Sequence, residues 1–365
     1  MHYQQPPAEL ADLVNLTPDP LLVFGPHEHW LLVADRDSFP PIELLRQKEL
    51  KLAGVRLNPD AFTPHAISGF SNPRFRHLET GEERLITGFP EGARIRNLRW
   101  SPTGDRLACC LMTPTGLQLW LINYDTAQAQ AITPPDLNNS LGGSPYDFFG
   151  NDRIIVKRRL PGLGEPPVEP PSGPVVQDTT GEESANRTYT NLLQSPYDEE
   201  LFRYYGMVQL YAIDLNTLGI MPWAEPGIIM GVTDSPNLEY FLVTYVLEPF
   251  SYRVPYQKFA DQMVIVNVHG NLVRTVAERP VSDNLPPAIG AVVKEPRRFT
   301  WRSDHPAQLY WTEALDGGDP REEVEYREQV YYLEAPFTGE PVKSIKLNMR
   351  YGALYWCRGD LALVI

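Results

Sequence analysis

One pattern recurs along this chain and limits its folding more than any other: an apolar strand, a polar turn, and a second strand. Residues 209–223 carry the clearest copy, QLYAIDLNTLGIMPW. Gln209, Tyr211 and Ile213 alternate with Leu210, Ala212 and Asp214, the period of two that marks a strand. Asn216-Thr217-Leu218-Gly219 then supplies the turn. The same arrangement returns at residues 118–133 (QLWLINYDTAQAQAIT), 262–276 (QMVIVNVHGNLVRTV) and 329–345 (QVYYLEAPFTGEPVKSI), and more loosely at 74–87.

A second hairpin precedes each of these. Residues 97–110 read NLRWSPTGDRLACC, 231–244 read GVTDSPNLEYFLVT and 298–311 read RFTWRSDHPAQLYW, with a looser version at 23–33. Two hairpins in series make a four-stranded antiparallel sheet. Repetition of that sheet predicts a β-propeller, because a lone sheet leaves apolar faces wet and a neighbouring blade covers them. The fold class expected is therefore all-β, a β-propeller of four-stranded antiparallel blades. A lead-in occupies residues 1–20, and the propeller domain residues 21–365. Its blades are read at about 21–87, 95–133, 146–223, 228–276 and 289–345, with a partial blade at 351–365 and a long insertion at 160–205.

A hydrophobic fraction of 42% is ample for a core, and 36 prolines suit strands joined by many turns. The net charge of −14 argues against a nucleic-acid backbone or an anionic membrane as the partner. The local basic runs Lys157-Arg158-Arg159 and Arg297-Arg298 read as ordinary strand-end or solvated charges. Cys109, Cys110 and Cys357 form no CxxC, and an odd count argues against a disulfide framework. Adjacent Cys109 and Cys110 should point to opposite faces of a strand. The first residues lack a basic start followed by an apolar core, and no apolar run approaches the ~20 residues that span a bilayer. The sequon at Asn186 then reads as unmodified, and the expected location is cytoplasmic.

Insertions interrupt the blade pattern. A helix is predicted over residues 42–50 and another from Ser195, with Ser as cap, Pro196 in the first turn and Asp198, Glu199 and Glu200 following. Residues 161–173, PGLGEPPVEPPSG, can hold neither helix nor ladder. An aromatic insertion lies at 248–259 and an acidic one at 315–328. The chain reaches Ile365 with about five and a half blades, incomplete at the C-terminus, and would end on an open apolar edge. It is read as a piece of something longer; closure of the ring by the N-terminal strand is the alternative.

The insertions carry a resemblance. Residues 39–58 (FPPIELLRQKELKLAGVRLN), 173–177 (GPVVQ), 187–205 (RTYTNLLQSPYDEELFRYY), 249–259 (PFSYRVPYQKF) and 311–320 (WTEALDGGDP) resemble the N-terminal propeller of the prolyl-oligopeptidase family of serine peptidases, in its glutamyl endopeptidase branch. The resemblance runs from about residue 7 to Ile365. It implies a propeller that caps a C-terminal α/β-hydrolase domain bearing a Ser-Asp-His triad and limits the access of peptide substrates to it. None of that triad can be placed here. The hydrolase elbow GxSxG is missing: Gly142-Gly143-Ser144-Pro145-Tyr146 has Tyr where the last Gly must stand, and Ala66-Ile67-Ser68-Gly69-Phe70 fails at both ends.

Other chemistry is thin. His27 and His29 share a face if extended, but no third metal ligand follows at a recognisable spacing. Asp316-Gly317-Gly318-Asp319 lacks the rest of a calcium loop and reads as a turn. No phosphate loop and no cofactor fingerprint occur. One constellation remains. An acidic peptide side chain is gripped best by Arg, whose fork binds a carboxylate bidentately. Arg158 and Arg159 beside the long insertion, and Tyr252 and Arg253 near Tyr256 in the aromatic one, are the four substrate-contact candidates; salt-bridged loop anchors are the plain alternative. The expected function is thus the non-catalytic, substrate-gating propeller of a glutamyl-endopeptidase-like serine peptidase. The partners are a hydrolase domain, in cis or in trans, and a peptide. The rivals are a stand-alone binding scaffold and one subunit of a split peptidase.

Overall fold

The computed structural model of the chain describes residues 6–14, 16, 18–26, 29–170, 188–286, 288–357 and 361–365. His27, the stretch 173–177 and Asn186 lie outside the described residues. Strands dominate, in antiparallel meanders of four strands, the third and fourth of which join into one eight-stranded sheet through Met207 and Ile228. The first sheet holds Leu21–Phe24, Trp30–Asp35, Ser71–His77 and Glu83–Leu85. The second holds Ile95–Trp100, Arg106–Thr113, Gly116–Asn123 and Gln128–Ala131. The third run is Tyr146–Phe149, Arg153–Arg158, Met207–Asp214 and Ile220–Pro222. The fourth is Gly227–Asp234, Tyr240–Val246, Asp261–Asn267 and Leu272–Arg279, and the fifth Arg297–Trp301, Gln308–Ala314, Glu328–Glu334 and Val342–Leu347. A two-stranded hairpin, Leu354–Trp356 with Ala362–Val364, follows. Such meanders are the blades of propellers, and the fold class is all-β of β-propeller type.

The turn residues explain the hairpins. Ser101 Oγ accepts from the Arg106 amide and donates to Asp105, closing the first turn of the second sheet. Ser235 does the same for the Tyr240 amide in the fourth. The Gln that heads each third strand also has a structural reason. Its side-chain amide donates across to the fourth strand or just beyond it: Gln118 to Thr133 O (2.8 Å), Gln209 to Ala224 O (3.1 Å), Gln329 to Ile345 O (3.1 Å) and Gln262 to the Glu278 carboxylate (2.6 Å).

The chain divides into two compact units. The first takes residues up to Leu50, Arg56–Arg159 and Tyr211–Met221; the second takes Lys51–Val55, Leu160–Leu210 and Pro222 onward. In the first unit, Cys109 packs with Leu32, Phe75 and Ile95 on one face of the second sheet, while Cys110 packs with Tyr146, Ile154 and Ile213 on the other. Both thiols are buried, and the strand between them is covered on both faces, as a blade between neighbours must be. In the second unit, Leu242, Ile265 and Trp301 meet Leu309, Trp311 and Phe337. Tryptophans tie successive sheets within each unit: Trp100 Nε1 donates to Val23 O at 3.4 Å and Trp301 Nε1 to Thr233 O at 3.2 Å.

Two local expectations change. The helix predicted over 42–50 stops at Leu45, where the chain turns at residues 46–47 before the strand Leu50–Leu52. Lys157 is half-buried rather than fully solvated, and burial pushes its amine down to about 8. The helix expected from Ser195 forms as Pro196–Gly206, with Ser195 Oγ accepting from the Asp198 amide at 3.2 Å. No helix among the described residues is long and apolar enough to cross a membrane.

Candidate functional site

Each meander puts its insertion at the same end of its own sheet. In a four-stranded antiparallel sheet, the turn between the second and third strands lies at the end where the first strand begins. The second sheet makes that turn tightly, from Thr113 to Gly116. The first, third, fourth and fifth sheets expand it, to residues 36–70, 159–206, 247–260 and 315–327. The elaborated end of each sheet is therefore the candidate functional surface.

In the second unit, the helix Pro196–Gly206 and the aromatic insertion pack together. Phe202 is 1% exposed and meets Phe250 edge-on at 5.0 Å and Phe259 at 5.6 Å. Arg203 grips Glu248 through two bonds, Nε to Oε1 at 2.6 Å and Nη2 to Oε2 at 2.9 Å. That fork holds the Glu248 carboxyl below its ordinary value. Tyr204 and Tyr197 reach the proline-rich loop, donating to Gly164 O at 2.9 Å and Pro167 O at 3.2 Å.

Two of the four substrate-contact candidates sit here. Arg253 faces Asp283, Nη1 to Oδ2 at 3.5 Å, with its side chain 42% exposed. Tyr252 is turned toward the acidic start of the helix. Burial, then the hydrogen bond with Glu199 and its charge, push the Tyr252 phenol up to about 12. Arg158 and Arg159 sit in the first unit and are held more closely. Arg158 Nε donates to Asp136 Oδ1 at 2.9 Å, its guanidinium lies 4.7 Å from the Tyr211 ring, and its side chain is only 17% exposed. Arg159 lies 4.1 Å over Phe62 and donates to Ala61 O (3.2 Å) and to Thr115 O. Neighbours in sequence, each pair splits toward different partners.

Charged networks that sequence reading missed surround the fifth sheet's elaborated end. Buried Glu328 takes Arg297, and Arg350 Nη1 at 3.0 Å. Buried Asp316 takes Arg327 Nη1 and Arg350 Nη1, both at 2.8 Å. The Asp316 carboxylate is thus claimed by arginines, and among the described residues no three His, Cys, Asp or Glu side chains gather as a metal site. Only the density of Arg, Asp and Glu at residues 313–328 hinted at this.

The second unit also holds an open cleft of about 500 Å³ beside the fourth sheet. Met207, Ile228, Phe250, Val264, Val266 and Leu272 supply apolar walls. Gln262 and Asn271 add amides, and Glu225 and Glu248 add carboxylates. Tyr245 crosses it, donating from its hydroxyl to Glu225 O at 3.0 Å. Burial and the neighbouring Glu225 push that phenol up to about 12. Gly270, at φ +82°, lets the chain pass against the Ala224 amide, where a Cβ would come within 2.3 Å.

No protein-family model matches the chain. A probable chloroplastic glutamyl endopeptidase of Oryza sativa subsp. japonica is 33% identical to it over 384 aligned residues, which cover 100% of this chain and 40% of that protein. Its namesake in Arabidopsis thaliana is 31% identical, covering 99% and 39%. Among solved structures, an acylaminoacyl peptidase of Pyrococcus horikoshii aligns at 10% identity and TM-score 0.40, over 95% of this chain and 49% of that one. The β-propeller domain of the trilobed protease of Pyrococcus furiosus aligns at 10% identity and TM-score 0.35, over 71% and 58%. The chain spans about two fifths of the length of the curated relatives it matches. By a match that runs its whole length, this propeller-type chain is related to the glutamyl endopeptidases.

Proposed function

We propose that the chain is the substrate-gating propeller portion of a glutamyl-endopeptidase-like serine peptidase and performs no catalysis itself. The observation that carries this is coverage: all of the chain aligns with two fifths of each curated relative, and the chain has no GxSxG. A hydrolase portion, joined to it or docked on it, supplies the nucleophile. Hydrolysis there runs through an acyl-enzyme, and the propeller decides which peptides arrive. The insertions at the elaborated sheet ends are the surface that does so. Of the candidate clamps, Arg253 and Tyr252 are the more open, and Arg158 and Arg159 the more closely held. The protein works in the cytoplasm, its adjacent thiols reduced, which cell fractionation checks.

The test compares the hydrolase portion of a glutamyl endopeptidase relative with and without this chain ahead of it. With the chain, short peptides are cleaved and folded proteins spared. An unchanged ratio of the two rates would overturn the gating role. In the joined protein, Arg253→Ala raises KM for Glu-containing peptides more than for others; equal losses would remove Arg253 as a clamp.

A further inference from the structure

The cleft beside the fourth sheet has a chemistry that the acidic-peptide reading does not use. Its volume, about 500 Å³, lies within the range of ligand pockets, which are mostly apolar with a few placed polar groups. Among the described residues that line it there is no lysine or arginine. Its charged groups are Glu225 and Glu248, on a chain of net charge −14. Glu248 is already matched by the Arg203 fork. Glu225 is then the carboxylate a ligand's cation can meet. The amide of Asn271, and the amide oxygen of Gln262 whose nitrogen is given to Glu278, suit a main chain, which offers both donors and acceptors.

We propose that this cleft binds an extended peptide segment in which large apolar side chains precede an Arg or Lys: Val264, Val266 and Phe250 take the apolar groups, and Glu225 takes the cation. The site is distinct from the arginine candidates, whose charge calls for an acidic ligand. It stands whether or not the chain gates a peptidase.

Fluorescence anisotropy with the whole chain tests it. The probe is fluorescein-labelled Gly-Phe-Leu-Arg-Gly-Ser. One control replaces Arg with Glu, and the other replaces Phe-Leu with Gly-Gly. The probe should bind and both controls should bind more weakly. Glu225→Lys and Leu272→Asp should each weaken probe binding roughly fivefold or more, equivalent to losing about 1 kcal/mol. Both positions are exposed, Leu272 at 65%, so the fold survives, which the melting curve checks. Equal affinity for the three peptides, or unchanged affinity in both folded variants, would overturn the proposal.

Discussion

Lys157 stands in a basic run, yet its neighbours in sequence say nothing of its surroundings. Strand alternation puts it on the face opposite Arg158, half-buried, where burial lowers its amine to about 8. The consequence has a definite sign. Between about 8 and the ordinary lysine value of ~10.4, the unfolded chain holds a proton that the folded chain has lost. Stability should therefore rise with pH through that window, up to about 10, where tyrosine ionisation in the unfolded chain begins to oppose it. Lys157→Met should flatten the rise. Urea midpoints across pH 7 to 10 decide it; parallel curves for the two proteins would show that the amine is solvated.

At the scale of the element, the repeated Gln is a staple between third and fourth strands. Its contribution follows from burial. Gln329 is 2% exposed and donates to two carbonyls, Val330 O at 2.9 Å and Ile345 O at 3.1 Å. Gln329→Ala strips buried acceptors and leaves a void, costing about 1–3 kcal/mol. Gln262 is half-buried and bonds an exposed Glu278, so Gln262→Ala should cost less than about 0.5 kcal/mol. Chemical denaturation measures both, and equal losses would mean the staple acts independently of burial. The hairpins and the helix after Ser195 were legible because their causes are local: a period of two, turn residues, and a cap followed by proline. The helix over 42–50 was drawn too long: it ends at Leu45, and the strand expected to follow it forms from Leu50.

For the whole molecule, the proposed non-catalytic role gives the plainest test: the sequence holds no GxSxG elbow, and on that proposal no serine of the chain is an activated nucleophile. A fluorophosphonate probe should leave the chain unlabelled and label it only once it is joined to a hydrolase portion. Labelling of the chain alone would reveal a nucleophile that the sequence does not announce.

By itself, the sequence determined the strands, the hairpins, the repetition that requires stacked sheets, and the family, since the branch-specific insertions are contiguous words. Arg158, Arg159, Tyr252 and Arg253 were recognisable as residue types in the right segments. Their partners were not. Asp136 lies 22 residues from Arg158, Glu248 lies 45 from Arg203, and Glu328 lies 31 from Arg297. The cleft draws its walls from five separate stretches between Met207 and Leu272. Only the tertiary structure decides such things, because a charge's energy depends on which group and how much water stand beside it in space, and sequence spacing carries neither.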